Sequence, residues 1–278
     1  MDNSVTLCIN GPMHDERFLD HAADSLASLP GVQAVALGGS RAQGTHRPDS
    51  DWDFAVYYRG RFDPQDLRDL AGRSPGWEGQ VSELGGWGGG VFNGGAWLRI
   101  GGRAVDVHYR DLDVVEREVG RAACGDFDIE PLMFHLAGIP TYLVVGELAI
   151  LRVLRGTLTS LNYPEQLRRK APPTWSERAE LTLSYARSQL APLGLGAQCA
   201  GMVAVAAVEY GHAILASRGE WTTNERQILE RAGLAGVNAL VRGMGPQPDS
   251  LVRATDDVSR LCRQLLEDAA SQGAMLQM

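Results

Sequence analysis

The sequence predicts an α+β chain in two parts, with strands and helices mixed over residues 1–114 and helices alone over 115–278. Three observations carry that expectation. Short apolar runs bounded by turn residues fill the front of the chain. A glycine-rich tract between residues 74 and 103 is interrupted by good strand formers. Beyond residue 110 the apolar spacing lengthens to the helical period.

Taken in order, residues 14–29 read as a helix, with Phe18, Leu19, Ala22, Leu26 and Leu29 at helical spacing and Pro30-Gly31 ending it. "VQAVAL" (32–37) and "WDFAVYYRG" (52–60) read as strands, and "PQDLRDLAGR" (64–73) as a short helix. Gly101-Gly102 between "AWLRI" and "RAVDVHYR" predicts a two-residue hairpin. Helices are expected over 112–122, 129–137, 141–156, 164–169, 176–192, 197–218, 223–233 and 249–271, with proline-marked breaks at "KAPPTW" and "GMGPQPD". Asp249 or Ser250 is the expected cap of the last helix. Thr223 is a candidate cap for the helix before it, with Arg226 at its third position.

Bulk properties narrow the function. The formal charge is −8 and the pI near 5.3, which argues against a general nucleic-acid binder. The N-terminal stretch lacks the pattern of a signal peptide, and no uncharged apolar run reaches the ~20 residues that span a bilayer. A cytoplasmic protein without a membrane partner is the expectation. Cys8, Cys124, Cys199 and Cys262 have no zinc-like spacing and read as buried free thiols.

The chemistry concentrates in "LGGSRAQGTHRPDSDWDF" (37–54). Alternation in a strand sends Asp51 and Asp53 to one face and Trp52 and Phe54 to the other. Two carboxylates so placed repel unless a cation lies between them, and a hard divalent ion such as Mg²⁺ takes oxygen ligands. Asp106, alone among the apolar residues of "RAVDV", completes a three-carboxylate cluster if its strand lies beside 52–58. Gly38, Gly39 and Ser40 end the first strand with exposed N–H groups and a hydroxyl suited to phosphate. Arg41 and Arg47 can neutralise phosphate charge.

That pattern of Gly-Ser, spacer, Asp-x-Asp and a distant third Asp resembles the signature of the DNA polymerase β-like nucleotidyltransferase superfamily. The resemblance covers residues 32–110 and is closest to its two-domain antibiotic (aminoglycoside or lincosamide) members. It implies a catalytic domain over 1–114, a mixed sheet with flanking helices. It also implies an all-α acceptor-binding bundle over 115–278. By the same resemblance Gly39 and Ser40 hold the β- and γ-phosphates of a nucleoside triphosphate, with ATP the expected one. Asp51 and Asp53 coordinate Mg²⁺, and Asp106 binds a second Mg²⁺ and helps deprotonate the acceptor. The implied reaction is attack of a small-molecule hydroxyl on the α-phosphorus with release of pyrophosphate.

Outside this motif the readings stay two-sided. Glu209, interior to the apolar run 197–218, is a candidate general base or one half of a structural hydrogen-bonded pair. Arg226, in "WTTNERQ", contacts triphosphate or decorates a helix start. Trp87, Phe92 and Trp97 stack a ligand or pack the hairpins. His108 lines the Asp106 face or is a satisfied strand histidine. An antibiotic acceptor, in resistance or biosynthesis, leads. A protein-AMPylating enzyme of the antitoxin-like type and a nucleotide-binding module without transfer activity are the alternatives. A homodimer fits the resemblance, though no sequence feature requires it.

Overall fold

The computed structural model describes residues 15–88 and 90–275. Cys8 and the stretch read for a signal peptide up to residue 14 lie outside the described residues. Along the chain the elements are α1 (Asp15–Ala27), β1 (Val32–Leu37), α2 (Gly39–Ala42), β2 (Trp52–Tyr58), α3 (Pro64–Arg73), β3 (Trp77–Val81), β4 (Gly95–Ile100), β5 (Arg103–Asp111) and α4 (Leu112–Ala123). There follow β6 (Ile129–Glu130), β7 (Ile139–Pro140), α5 (Leu143–Ile150), β8 (Arg152–Arg155), α6 (Glu165–Tyr185), α7 (Gly196–Arg218), α8 (Ile228–Arg231), α9 (Val237–Arg242) and α10 (Pro248–Met275). The chain is α+β and divides into two compact units. One runs to Val114 and takes back Ile150–Thr159; the other comprises Val115–Ala149 and the chain from Ser160 on.

In the first unit a six-stranded mixed sheet has the order β3-β4-β5-β2-β1-β8. Only β2 and β5 pair in parallel; the other neighbours are antiparallel. Strand alternation divides its faces. Val35, Leu37, Trp52, Phe54, Val56, Val105, Val107, Leu98 and Ile100 point into one core with Phe18, Ala22 and Leu26 of α1 and Leu67 and Leu70 of α3. Phe18 anchors it, its ring 4.8 Å from Trp52 in an edge-on contact, with the Arg103 guanidinium over its face. Asp63 caps α3 by accepting the Gln65 N–H, with Pro64 at the first helical position. Gly101 (φ 56°) and Gly102 (φ 82°) form the two-residue turn that sets β4 against β5.

The second unit is helical, built around α7. This helix is long and apolar enough by composition to cross a membrane, and most of it is buried within its own unit. It packs against α6, whose Leu167, Ala171, Trp175, Ala179 and Leu183 make a buried stripe at a strict spacing of four.

Several sequence expectations fail here for physical reasons. The break at "KAPPTW" is absent: α6 runs unbroken through Pro172 and Pro173. Both prolines lie off the buried stripe, and packing of the stripe outweighs the local penalty. The expected helix 129–137 is instead a loop between β6 and β7, whose Leu136 and Ala137 N–H groups are taken by the Glu225 carboxylate. The expected helix 141–156 stops at Ile150, because Arg152–Arg155 pairs with the open edge of β1 and Arg155 reaches Asp20 and Asp24 of α1. The expected helix 223–233 contracts to Ile228–Arg231, and Asn224 instead accepts the Arg226 N–H in a turn, so Thr223 caps nothing. Ser250 accepts the Gly245 N–H, and α10 opens with Pro248. Cys199 and Cys262 are buried as expected, whereas Cys124 is exposed.

Phe18→Ala removes the ring that joins α1 to the sheet and should destabilise the first unit by about 3–5 kcal/mol, read by urea unfolding.

Candidate functional site

The face of the sheet turned away from the α1/α3 core carries the chemistry-bearing residues. Parallel register places Asp53 directly beside Asp106, and antiparallel register places Trp97 beside Asp106 on its other side. Neighbouring strands are about 4.8 Å apart, so the two carboxylates are closer across the strands than ligands two residues apart along one strand. Asp51 lies one residue before β2 and is exposed, yet it lines the same groove as Asp106, about 530 Å³ in volume, with Glu78, Trp97 and Arg99.

At the end of β1 the backbone turns sharply against Asp53. The Gly38 N–H donates to the Asp53 carbonyl at 2.7 Å. Gly39 follows at φ +60°, where a β-carbon would stand 1.8 Å from Asp53 Oδ2. Only glycine lets the Asp53 carboxylate lie against this turn. Ser40 follows in α2, partly exposed, with its carbonyl accepting the Thr45 N–H. Gly38, Gly39 and Ser40 are therefore gathered beside Asp53, as the motif implied.

Arg41 is placed differently from a residue waiting for phosphate. Its Nε donates to the carbonyls of Ser50 and Asp51 at 3.1 Å and its Nη2 to Ser50 at 2.7 Å, while the guanidinium lies 4.0 Å from the centroid of the Trp52 ring. Arg41 thus clamps the loop that delivers Asp51. Arg47 is exposed on that loop, 3.6 Å from Asp49.

The other sequence candidates fall into place by packing. Trp87 stacks on Trp97 with centroids 4.9 Å apart and meets the edge of His108 at 5.5 Å. Its ring lies against Gly95, where a β-carbon would stand 2.3 Å from it. Phe92 is buried beneath the Arg110 guanidinium and belongs to the packing. The juxtaposition of Trp97 with Asp106 was computable: a two-residue turn at 101–102 pairs 100 with 103 and hence 97 with 106. The buried Arg110, two residues along the same face from His108, carried no comparable signal.

Glu209 and Arg226 lie in the second unit. Glu209 is 2% exposed; Arg178 Nε donates to one carboxylate oxygen at 3.2 Å and Thr182 to the other at 3.3 Å. Burial pushes its carboxyl above the ordinary range, against the pull of Arg178 and Thr182. The carboxylate expected as a general base is thus engaged in an internal ion pair. His212, also buried on α7, stacks on Trp175 at 4.2 Å and sits 3.9 Å from Glu225. Arg226 is exposed on the turn before α8.

Whether these residues suit a divalent ion can be judged from the donors. Among the described residues no group of three or more His, Cys, Asp or Glu is gathered closely enough to hold a metal as it stands. Asp53 and Asp106 nevertheless make an all-oxygen pair in register, with Asp51 on the same groove. Mg²⁺ is commonly held by one or two carboxylates with substrate phosphates completing its shell, so the donor set fits without a third carboxylate in place.

A turn of small residues beside two carboxylates, on a mixed sheet, is the arrangement that the sequence motif leads one to expect. Residues 19–82 match the family model described as a nucleotidyltransferase domain. Residues 19–82 of the first unit accordingly carry a nucleotidyltransferase domain, which supports a nucleotidyltransferase of the polymerase β-like superfamily and implies a nucleoside triphosphate substrate. The family generally uses a divalent metal. The matched span includes Gly39, Ser40, Asp51 and Asp53 and stops before Asp106. A crystal structure of a nucleotidyltransferase-like protein from Exiguobacterium sibiricum is 13% identical and aligns over 95% of this chain and 80% of that one, with a TM-score of 0.43. No curated protein matches the chain.

Gly39→Ala should force the Asp53 carboxylate off the turn and lower nucleotide affinity by about tenfold or more. The positive φ adds about 1–2 kcal/mol of destabilisation, so a nucleotide titration and a melting curve check both parts. Glu209→Gln should flatten the pH dependence of stability. A carboxyl raised in the folded state stabilises most below its unfolded pKa and loses that contribution as pH rises through the folded value. Wild type should therefore lose more stability than the variant between pH 4 and 7, measured by urea unfolding.

Proposed function

We propose that the protein transfers a nucleoside monophosphate from Mg²⁺-bound ATP to a hydroxyl of a small molecule, with a cationic antibiotic of the aminoglycoside or lincosamide type as the leading acceptor. The observation that carries the reading is the placing of the Gly39 turn against Asp53 on β2, with Asp106 beside it on β5, in a unit that carries a nucleotidyltransferase domain. The acidic groove and the net charge of −8 favour a cationic acceptor over an anionic polymer.

In this reading the Gly38-Gly39-Ser40 turn receives the β- and γ-phosphates, with close backbone approach permitted by the missing side chain at Gly39. Asp51, Asp53 and Asp106 would hold the divalent ions. When bound, Mg²⁺ neutralises phosphate charge and stabilises the attacking and leaving oxygens. Asp106 accepts the proton of the acceptor hydroxyl as its oxygen bonds to the α-phosphorus. The bond from that phosphorus to the bridging oxygen of the β-phosphate breaks, and both electrons leave with pyrophosphate. The proton passes from Asp106 to water. Arg41 keeps Asp51 in place through the 48–51 loop. Glu209 is assigned the structural ion pair with Arg178, and Arg226 has no step.

Incubation with α-labelled nucleoside triphosphates and Mg²⁺, against aminoglycosides, lincosamides and total cell protein, tests the reading. Label on a small molecule supports it; label on protein replaces it with AMPylation. Asp53→Asn should lower transfer by roughly a thousandfold or more, in the range seen when a charge-stabilising group is lost. Its urea midpoint should stay at or above that of wild type. Chelation by EDTA should abolish transfer, and re-added Mg²⁺ should restore it.

A further inference from the structure

The row on the open face of the sheet does not end at Asp106. It continues onto β4 at Trp97, opposite Asp106 in the antiparallel register. Trp97 is 48% exposed, an unusual state for an indole in the middle of a strand. Its exposure is not looseness. Trp87 stacks beneath it at 4.9 Å, and Trp87 is itself seated against Gly95, where any side chain would collide with its ring. One indole is thus backed by another, and Trp97 lines the groove shared by Asp51 and Asp106.

The order of the row assigns its ends. Displacement at phosphorus is in line, so the attacking oxygen and the leaving pyrophosphate lie on opposite sides of the α-phosphorus. The glycine turn at the end of β1 lies on the Asp53 side. With the β- and γ-phosphates there, the acceptor approaches from the Asp106 side, where Trp97 stands. This step rests on the transfer reading above.

We infer that Trp97, backed by Trp87, is the acceptor platform, taking a cationic molecule with a flat ring face, either a pyranose or an aromatic ring. A stacked indole offers that face a large, rigid apolar surface at little entropic cost. Glu78 and Arg99 beside it offset each other at 4.0 Å, and Asp51 and Asp106 are taken by the ions. Positive charge on the ring substituents is therefore favoured by the triphosphate, whose charge together with that of the three aspartates exceeds what two divalent ions cancel. Trp97 sets which acceptor is chosen and leaves the nucleotide to the glycine turn.

The test uses the full chain and reads the tryptophan emission lost on adding a probe, with Trp97→Phe separating the Trp97 signal from the other indoles. The probes are kanamycin as a cationic pyranoside, methyl glucoside as a neutral one and tyramine as a cationic aromatic. Each is titrated with Mg²⁺ and a non-hydrolysable ATP analogue, and again without nucleotide. We expect kanamycin or tyramine to quench Trp97, methyl glucoside to do so more weakly, and the stronger of the two cations to identify the ring class. Measured by calorimetry, because the variants lack the Trp97 signal, Trp97→Ala should weaken that probe about tenfold, Trp97→Phe less than threefold, and neither should move the affinity for the analogue more than twofold. Equal probe affinity in Trp97→Ala and wild type overturns the inference, as does quenching by none of the three probes. A rise in the Kd of the analogue on Trp97→Ala also overturns it and gives the platform to the nucleobase. Failure of wild type to bind the analogue counts against the transfer reading alone, because the titration without nucleotide still reports on the platform.

Discussion

The parallel pairing of β2 with β5 is the constraint on which the site depends. It sets Asp53 against Asp106 in register on neighbouring strands, inside an otherwise antiparallel sheet. Two ionised carboxylates about 5 Å apart repel by about 3 kcal/mol at an effective dielectric near 20. The strands hold that arrangement because their opposite faces bury Trp52, Phe54, Val105 and Val107 in a shared core with α1 and α3. The apolar face fixes the register, and the register fixes the acidic face. A divalent cation held between them would relieve the repulsion that the register imposes.

The surroundings of the acidic row follow from how close it lies to backbone. Gly39 exists as glycine because the Asp53 carboxylate occupies the space of its β-carbon. Arg41, whose place in the motif suggests phosphate, is spent on carbonyls of the 48–51 loop and on the Trp52 face. Trp87 and Trp97 stack because Gly95 leaves room for an indole to lie on the sheet. In the second unit two carboxylates are met in a similar way. Glu209 is met by Arg178 and Thr182, and Glu225 by two backbone N–H groups of the loop before β7. Burial also pushes the Cys262 thiol up to about 12, which leaves it an unreactive part of the packing.

The front of the chain was legible because its signals are local. Short apolar runs bounded by turn residues marked β1 and β2, the stretch from Pro64 marked α3, and paired glycines marked the β4–β5 turn. The acidic motif was legible for the same reason, and the hairpin arithmetic also contained the Trp97–Asp106 pairing. The back of the chain was harder to read because tertiary contacts decide it. Nothing near Pro172-Pro173 announces that a buried stripe from Leu167 to Leu183 will carry a helix through them. The short strand at Arg152–Arg155 depends on a free edge of β1 more than a hundred residues earlier. The loop before β7 depends on Glu225, 88–89 residues further along the chain. Glu209 was visible as a buried acid, but its Arg178 partner sits on another helix.

Binding of Mn²⁺ in place of Mg²⁺, followed by the fall of the free-ion EPR signal, tests the central claim most directly. With a non-hydrolysable nucleoside triphosphate present, wild type should take up Mn²⁺ beyond what the nucleotide binds alone. Asp106→Asn, outside the span that matches the family model, should lose that uptake as fully as Asp53→Asn does. Undiminished Mn²⁺ uptake in Asp106→Asn would contradict the account, because the carboxylate that the β2–β5 register brings to Asp53 would then have no part in holding the ion.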